Sequence, residues 1–124
     1  MALVNVIAPP DGWYEITPTI DTSRFYVNSG GYVKCYRNAT MCCVEMFNVC
    51  FANAGDSQHN VLTGLPKALA QVQGNYFGSN SEETVTIAGC AFWIASGRTS
   101  MSVHIKASVN RHNMYGTLIY PCAE

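Results

Sequence analysis

The segment SMSVHIKAS, residues 100–108, carries the clearest secondary-structure signal in the chain. Met101, Val103 and Ile105 alternate with serine, histidine and lysine, so an apolar side chain falls on every second position. A period of two is typical of a β-strand with one buried face and one solvated face. The segment therefore predicts a half-buried strand of the kind that antiparallel sheets contain.

The same period recurs in most of the chain. Gly, Asn and Pro signals separate the predicted strands, which are 13–17, 24–28, 31–37, 41–51, 84–95, 100–108 and 113–120. The best helix candidate, 65–73, also suits a strand, and Gly74 ends it. About eight short strands with little or no helix predict an all-β, antiparallel, jelly-roll-like β-sandwich. We expect its core to be filled by Phe25, Tyr32, Phe47, Phe51, Trp93 and Ile105.

Composition limits the classes of function. The chain has 124 residues, and its hydrophobic content of 48% suits a single domain, expected at 13–124 after a leader or linker at 1–12. A formal net charge of −1 excludes nucleic-acid binding by clustered basic residues. No apolar run approaches the ~20 residues of a membrane-spanning helix. We therefore expect neither a nucleic-acid partner nor membrane insertion.

The segment 41–51, MCCVEMFNVCF, is apolar on both faces of the predicted strand. In addition, only 12% of the residues in the chain are charged. Low charge has two compatible explanations, which are a flank buried in an oligomer and a surface suited to neutral polar ligands such as sugars. A strand that is apolar on both faces favours packing of subunits side by side. The candidate interface residues are Val44, Met46, Phe47 and Phe51.

The six cysteines form no recognisable metal or redox motif. Cys42 and Cys43 are adjacent, so a strand points them to opposite faces, and the chain has no CxxC pair. We expect mostly buried free thiols, with disulfides or a metal site as the alternatives. Histidines and carboxylates show no ligand or catalytic spacing, and no glycine-rich phosphate loop opens a helix. We therefore expect no metal, no cofactor and no enzymatic activity.

Polar segments that also carry aromatic residues suit sugars, because aromatic rings stack on sugar CH groups while amides and guanidinium groups bond hydroxyls. Three predicted loops have this composition, at 75–80, 96–99 and 110–115. Ordinary exposed hairpin loops are the alternative interpretation. The candidate ligand-binding residues are Asn110, Arg111, His112, Asn113, Tyr115, Tyr76 and Arg98.

Five motifs follow one another in a suggestive order. They are YVNSGGYVK at 26–34, VEMFNV at 44–49, LTGLP at 62–66, TVTIAG at 84–89 and YGTLIYP at 115–121. Their order resembles that in the C-terminal head modules of bacteriophage tail fibres and receptor-binding proteins. The cysteine-rich strand at 41–50 departs from that family.

The resemblance implies a homotrimeric head that binds a host cell-surface saccharide or protein. It also implies a place on the virion tail or a similar appendage, after synthesis in the cytoplasm of a bacterial host. The alternatives are a structural viral or assembly module with no ligand of its own, and a complement- or tumour-necrosis-factor-like trimeric signalling domain. The last of these predicts secretion and paired cysteines. A small hydrolase is a further alternative that no motif supports.

Overall fold

A computed structural model describes residues 12–23, 25–51, 57–79, 84–105 and 113–124. At 51, 57–58, 75–79, 84–90, 105 and 113–114 the description is of the backbone alone. The predicted leader at 1–12 lies outside the described residues except for Gly12.

The described residues form nine β-strands and no helix, and every pairing between strands is antiparallel. The strands are β1 (Tyr14–Ile16), β2 (Thr19–Ile20), β3 (Phe25–Arg37), β4 (Met41–Phe51), β5 (Ser57–Thr63), β6 (Val72–Ser79), β7 (Thr84–Ile94), β8 (Met101–Ile105) and β9 (Asn113–Pro121). Since no described residue is helical, none belongs to a helix able to span a membrane. The predicted all-β, antiparallel architecture is confirmed.

The strands follow the hydrogen-bonded order β1-β3-β4-β9-β6-β7-β8-β5-β2 and fold over into two layers. The first layer holds β1, β3, β4 and β9, and the second layer holds the other five strands. β9 and β6 pair through residues 113–115 and 77–79, at one end of each strand. Beyond that corner the layers separate and stack face to face, which is the predicted sandwich. Four connections cross between the layers, as in a jelly roll: β1–β2, β2–β3, β4–β5 and β8–β9.

The core lies between the layers, and strand alternation decides which residues enter it. In β8, Met101 and Val103 are fully buried, as their spacing predicts, whereas Ser102 lies on the outer face and is half-buried. In β4, Val44 is 0% exposed and Met46 is 2% exposed. The prediction that these two residues contact another copy is therefore wrong, because both are enclosed by their own chain.

Whether a side chain lies in the core depends less on its size than on whether its position in the strand faces inward. Phe25 is fully buried as expected, but Tyr32, Phe47 and Trp93 point away from the core. The side chains of Phe51 and Ile105 lie outside the description. The large residues that fill the space between the layers include Phe92, Ile94, Leu118 and Tyr120.

A bulge bends the middle of the first layer. The register between β3 and β4 shifts between Val27 and Tyr32, and Asn48 opposite adopts a left-handed φ of 54°. Gly31 fits against this bulge because a Cβ there would collide with the carbonyl oxygen of Asn48. At the bend, the inward-facing and outward-facing positions of β4 exchange. Phe47 therefore faces outward, while Val49, two residues later, is fully buried.

Candidate functional site

A polar pocket opens on the outer face of the second layer. Asn60 of β5 pairs with Ser102 of β8, which in turn pairs with Trp93 of β7. Residues directly opposite in a ladder share a face, so these three side chains form one row across three strands. The cavity measures about 290 Å³, close to the lower end of small-molecule sites. This Trp93 pocket is lined by Asn60, Trp93, Ala95, Arg98, Ser100 and Ser102.

The core fixes the direction of Trp93. Its neighbours Phe92 and Ile94 are 1% and 0% exposed and point between the layers, so Trp93 points to the outer surface, where it is half-buried. A half-buried indole in a polar pocket offers a flat apolar surface beside hydrogen-bonding groups. Sequence reasoning placed Trp93 in the core and therefore missed its place in the pocket lining.

The polar side of the pocket is organised by one short hydrogen bond. The Ser102 hydroxyl donates to Asn60 Oδ1 over 2.6 Å. This bond holds the Asn60 amide and leaves its NH₂ group directed to other acceptors, while the serine oxygen can still accept. The pocket thus presents both donors and acceptors beside the indole.

Arg98 stands at the rim of the pocket on the 95–98 turn. The turn is closed by a hydrogen bond from the Arg98 amide to the Ala95 carbonyl (3.0 Å), and Gly97 supplies the positive φ of 79°. Ala68 fixes the turn from the neighbouring loop, accepting from the Gly97 amide at 2.7 Å and donating to the Arg98 carbonyl at 3.0 Å. The guanidinium is exposed and forms no ion pair with a described carboxylate.

The predicted ligand-binding residues do not come together in one site. Arg98 lines the Trp93 pocket, whereas Tyr115 lies on the outer face of the opposite layer. Asn110, Arg111 and His112 lie outside the described residues. The prediction of a loop at 75–80 is wrong, because residues 75–79 belong to strand β6. Tyr76 in β6 and Asn113 in β9 are described by their backbone alone.

Aromatic rings cover part of the outer face of the first layer. The Tyr32 and Phe47 rings stack with centroids 5.4 Å apart and planes inclined by 18°. The Tyr115 ring meets Phe47 edge-on at 5.1 Å. Phe47 is 43% exposed, so this candidate interface residue does lie at the surface. Phe51, the fourth candidate, has no described side chain.

The apolar character continues further along the same layer. Cys43 pairs with Tyr36 on one side and Ile119 on the other, and with Trp13 these residues line an apolar depression of about 190 Å³. Ile119 is 58% exposed. We call this surface the aromatic face, and it comprises Tyr32, Phe47, Tyr115, Trp13, Tyr36, Cys43 and Ile119. Contiguous apolar patches of this kind are typical of interaction surfaces.

A polar row divides the aromatic face. Lys34 and Glu45 are opposite each other in the ladder, and Glu45 is opposite Thr117. Lys34 Nζ lies 3.7 Å from the Glu15 carboxylate in a solvent-exposed ion pair, which contributes little to stability. Such a row adds directional contacts to an otherwise apolar surface.

A thiol cluster occupies one end of the core. The sulfur atoms of Cys35 and Cys42 are 3.5 Å apart, and both residues are fully buried. The hydrogen bond shared by the two thiols lowers the pKa of Cys42 to about 7, while that interaction together with burial raises the pKa of Cys35. The Tyr120 hydroxyl beside them donates to the Pro66 carbonyl at 2.9 Å, and burial raises its pKa. A cluster closed to solvent stabilises the core and offers no access to a substrate.

The predicted free thiols are confirmed for the five cysteines that the structure characterises, which are Cys35, Cys42, Cys43, Cys50 and Cys122. Across the described residues, no group of three or more His, Cys, Asp or Glu side chains could hold a metal ion.

Sequence reasoning missed Asn60 and Ser102 together with Trp93. The alternation of residues 100–108 predicts that Ser102 lies on the solvated face of its strand. The sequence around Ser102 does not indicate which strands pair with that strand. Comparison with known proteins adds no information, since no protein family, curated protein or solved structure was found to match the chain. Function must therefore be argued from the chemistry of the site.

Proposed function

We propose that this chain is a non-enzymatic receptor-binding head domain that binds a saccharide in the Trp93 pocket. The observation that carries the proposal is the row formed by Trp93, Ser102 and Asn60 across three strands. Following the motif order of the sequence, we place the domain as a homotrimer on a phage tail fibre or similar viral appendage.

The chemistry of the pocket matches that of a sugar. One face of a pyranose ring presents CH groups, which stack on an indole, and its edge presents hydroxyl groups that both donate and accept. Trp93 supplies the stacking surface, and Asn60, Ser100 and Ser102 supply neutral hydrogen-bonding partners. The lining residues that the structure describes include no carboxylate, cysteine or histidine, so they bring together no acid–base pair or activated nucleophile.

The aromatic face supports self-association. An exposed Phe47 and Ile119 on one sheet face are more simply explained by a covering subunit than by contact with water. This surface also favours a second candidate function, a structural assembly module that uses the aromatic face and binds no sugar. The two candidates differ in what the Trp93 pocket does.

A glycan array that includes bacterial surface polysaccharides separates the two functions. We expect the wild-type chain to bind a subset of glycans and the Trp93→Ala variant to lose that binding. Trp13→Phe is the matched control, because it removes the chain's other tryptophan, on the opposite layer, and keeps an aromatic ring there. Asn60→Ala, at an exposed position, tests the pocket without disturbing the core.

Binding that survives both Trp93→Ala and Asn60→Ala would overturn the assignment of the pocket. A wild-type chain that is silent on the array would favour the structural module. Light scattering tests the homotrimer separately, with an expected mass three times the 13.5 kDa of the chain.

A further inference from the structure

We infer that the Trp93 pocket selects a carboxylated sugar, with the carboxylate bound by Arg98. The inference rests on the proposed saccharide function and adds the chemical class of the ligand. It follows from the charge of the pocket, from the way Arg98 is held and from the division of polar groups around the indole.

The described lining of the pocket carries a positive charge. Arg98 is charged, and the other described lining residues are neutral. The ion pair found among the described residues, Lys34 with Glu15, lies on the other layer. An exposed guanidinium beside a binding cavity, with no partner among the described carboxylates, favours an anionic ligand group, since a charge-assisted hydrogen bond is about twice as strong as a neutral one.

The backbone presents Arg98 in a fixed place. Both the amide and the carbonyl of Arg98 are hydrogen-bonded, to Ala95 and to Ala68. Thr99, the next residue, accepts from the Leu65 amide at 2.9 Å. A turn that is hydrogen-bonded on both sides loses little conformational entropy when a ligand binds. The planar guanidinium group can in addition bind a carboxylate through two parallel hydrogen bonds.

The other groups of the pocket are suited to the rest of the same sugar. Trp93 is directly opposite Ser102 in the ladder, which places the stacking surface next to the Ser102–Asn60 hydrogen bond. Arg98 approaches from the turn at the end of β7. A sugar lying on the indole can therefore direct its neutral hydroxyl groups to β8 and β5 and a carboxylate to the turn.

Two ligands that differ at one carbon test the inference. Methyl β-D-glucuronide carries a carboxylate where methyl β-D-glucoside carries a hydroxymethyl group. In a Trp13→Phe background the remaining tryptophan is Trp93, so its fluorescence reports binding in this pocket. We expect the glucuronide to bind at least about tenfold more tightly than the glucoside at low ionic strength. The preference should decrease as salt is added.

Arg98→Gln should reduce the ratio of glucuronide affinity to glucoside affinity to about one. Arg98→Lys keeps the charge without the planar pair of donors and should retain only part of the preference. Lys34→Gln removes the same charge from the opposite layer and should change neither affinity. Equal binding of both ligands by the Trp13→Phe protein would overturn the carboxylate assignment while leaving sugar binding intact. If neither ligand binds and the glycan array is silent, the proposed function fails as well.

Discussion

The ring of Phe92 lies directly over Gly116, on the opposite layer of the sandwich. A Cβ added to Gly116 would stand 2.7 Å from Phe92 Cζ and 2.9 Å from Phe92 Cε1. Phe92 is 1% exposed, so its ring has little room to move. The absence of a side chain at residue 116 thus sets how closely β7 can approach β9.

The first prediction follows from this contact. Gly116→Ala should lower the free energy of unfolding by about 1–3 kcal/mol, the usual cost of overpacking a core. Urea unfolding followed by circular dichroism measures it. Gly74→Ala is the graded comparison, since its Cβ would lie 3.0 Å from Phe92 Cζ and should cost less.

Adding Phe92→Leu to Gly116→Ala should recover part of the lost stability, because the smaller side chain relieves the collision. A double-mutant cycle measures that coupling. Purely additive effects of the two substitutions would show that the Phe92 ring is not what makes glycine necessary at position 116.

The sequence predicts a strand and its buried face best where apolar and polar residues alternate regularly. The regular alternation around Met101 and Val103 identifies both the strand and its buried face. The run from Ala91 to Ile94 has no such alternation, so it predicts a strand without indicating that Phe92 points inward and Trp93 outward. Size then misleads, because Trp93 is larger than Phe92 and lies at the surface.

The candidate site is harder to predict because it depends on pairing between distant segments. Asn60 and Ser102 are 42 positions apart in the chain, and their hydrogen bond exists only because β5 pairs with β8. Arg98 was predicted as a ligand contact from its turn composition, and the structure does place it on a turn. No local pattern could have supplied the indole and the amide beside it.

The second prediction concerns pH and the thiol cluster. Cys42 has a pKa lowered to about 7 from an ordinary value of 9.0, so its contribution to stability increases as pH rises from about 7 to 9. Cys35 and Tyr120 have raised pKa values, so the folded state keeps protons that the unfolded chain releases. Their contribution is complete below pH 9 and is lost as pH rises further.

We therefore expect the urea midpoint to increase between pH 7 and about 9 and to decrease above that range. Cys42→Ala should remove the increase, and Tyr120→Phe should reduce the decrease. A midpoint that follows the same pH profile in the wild type and in both variants would exclude the cluster as its cause.

The third prediction is an order of thiol reactivity. Cys43 is half-buried on the aromatic face, whereas Cys35, Cys42, Cys50 and Cys122 are each at most 2% exposed. In a Cys90→Ser variant that also carries Phe47→Lys, so that the aromatic face is uncovered, brief treatment of the native protein with N-ethylmaleimide should label Cys43 at least about tenfold faster than the other four. Peptide mapping by mass spectrometry measures the rates. Labelling of Cys35 or Cys42 before Cys43 would contradict the described burial.

The last prediction tests whether the aromatic face holds subunits together. Phe47→Lys and Ile119→Lys each place a charge in the exposed apolar part of that face, where burial against another copy would be costly. We expect each variant to reduce the mass measured by light scattering from three chains to one at micromolar concentration. Thr63→Lys adds the same charge at an exposed position on β5, in the second layer, and should leave the mass unchanged.

Because the Trp93 pocket is on the opposite layer, the monomeric variants should still bind monosaccharides with unchanged affinity, while losing the avidity seen on a multivalent glycan surface. A wild-type chain that is already monomeric, or a Thr63→Lys protein that dissociates as readily as Phe47→Lys, would remove the aromatic face as the site of assembly.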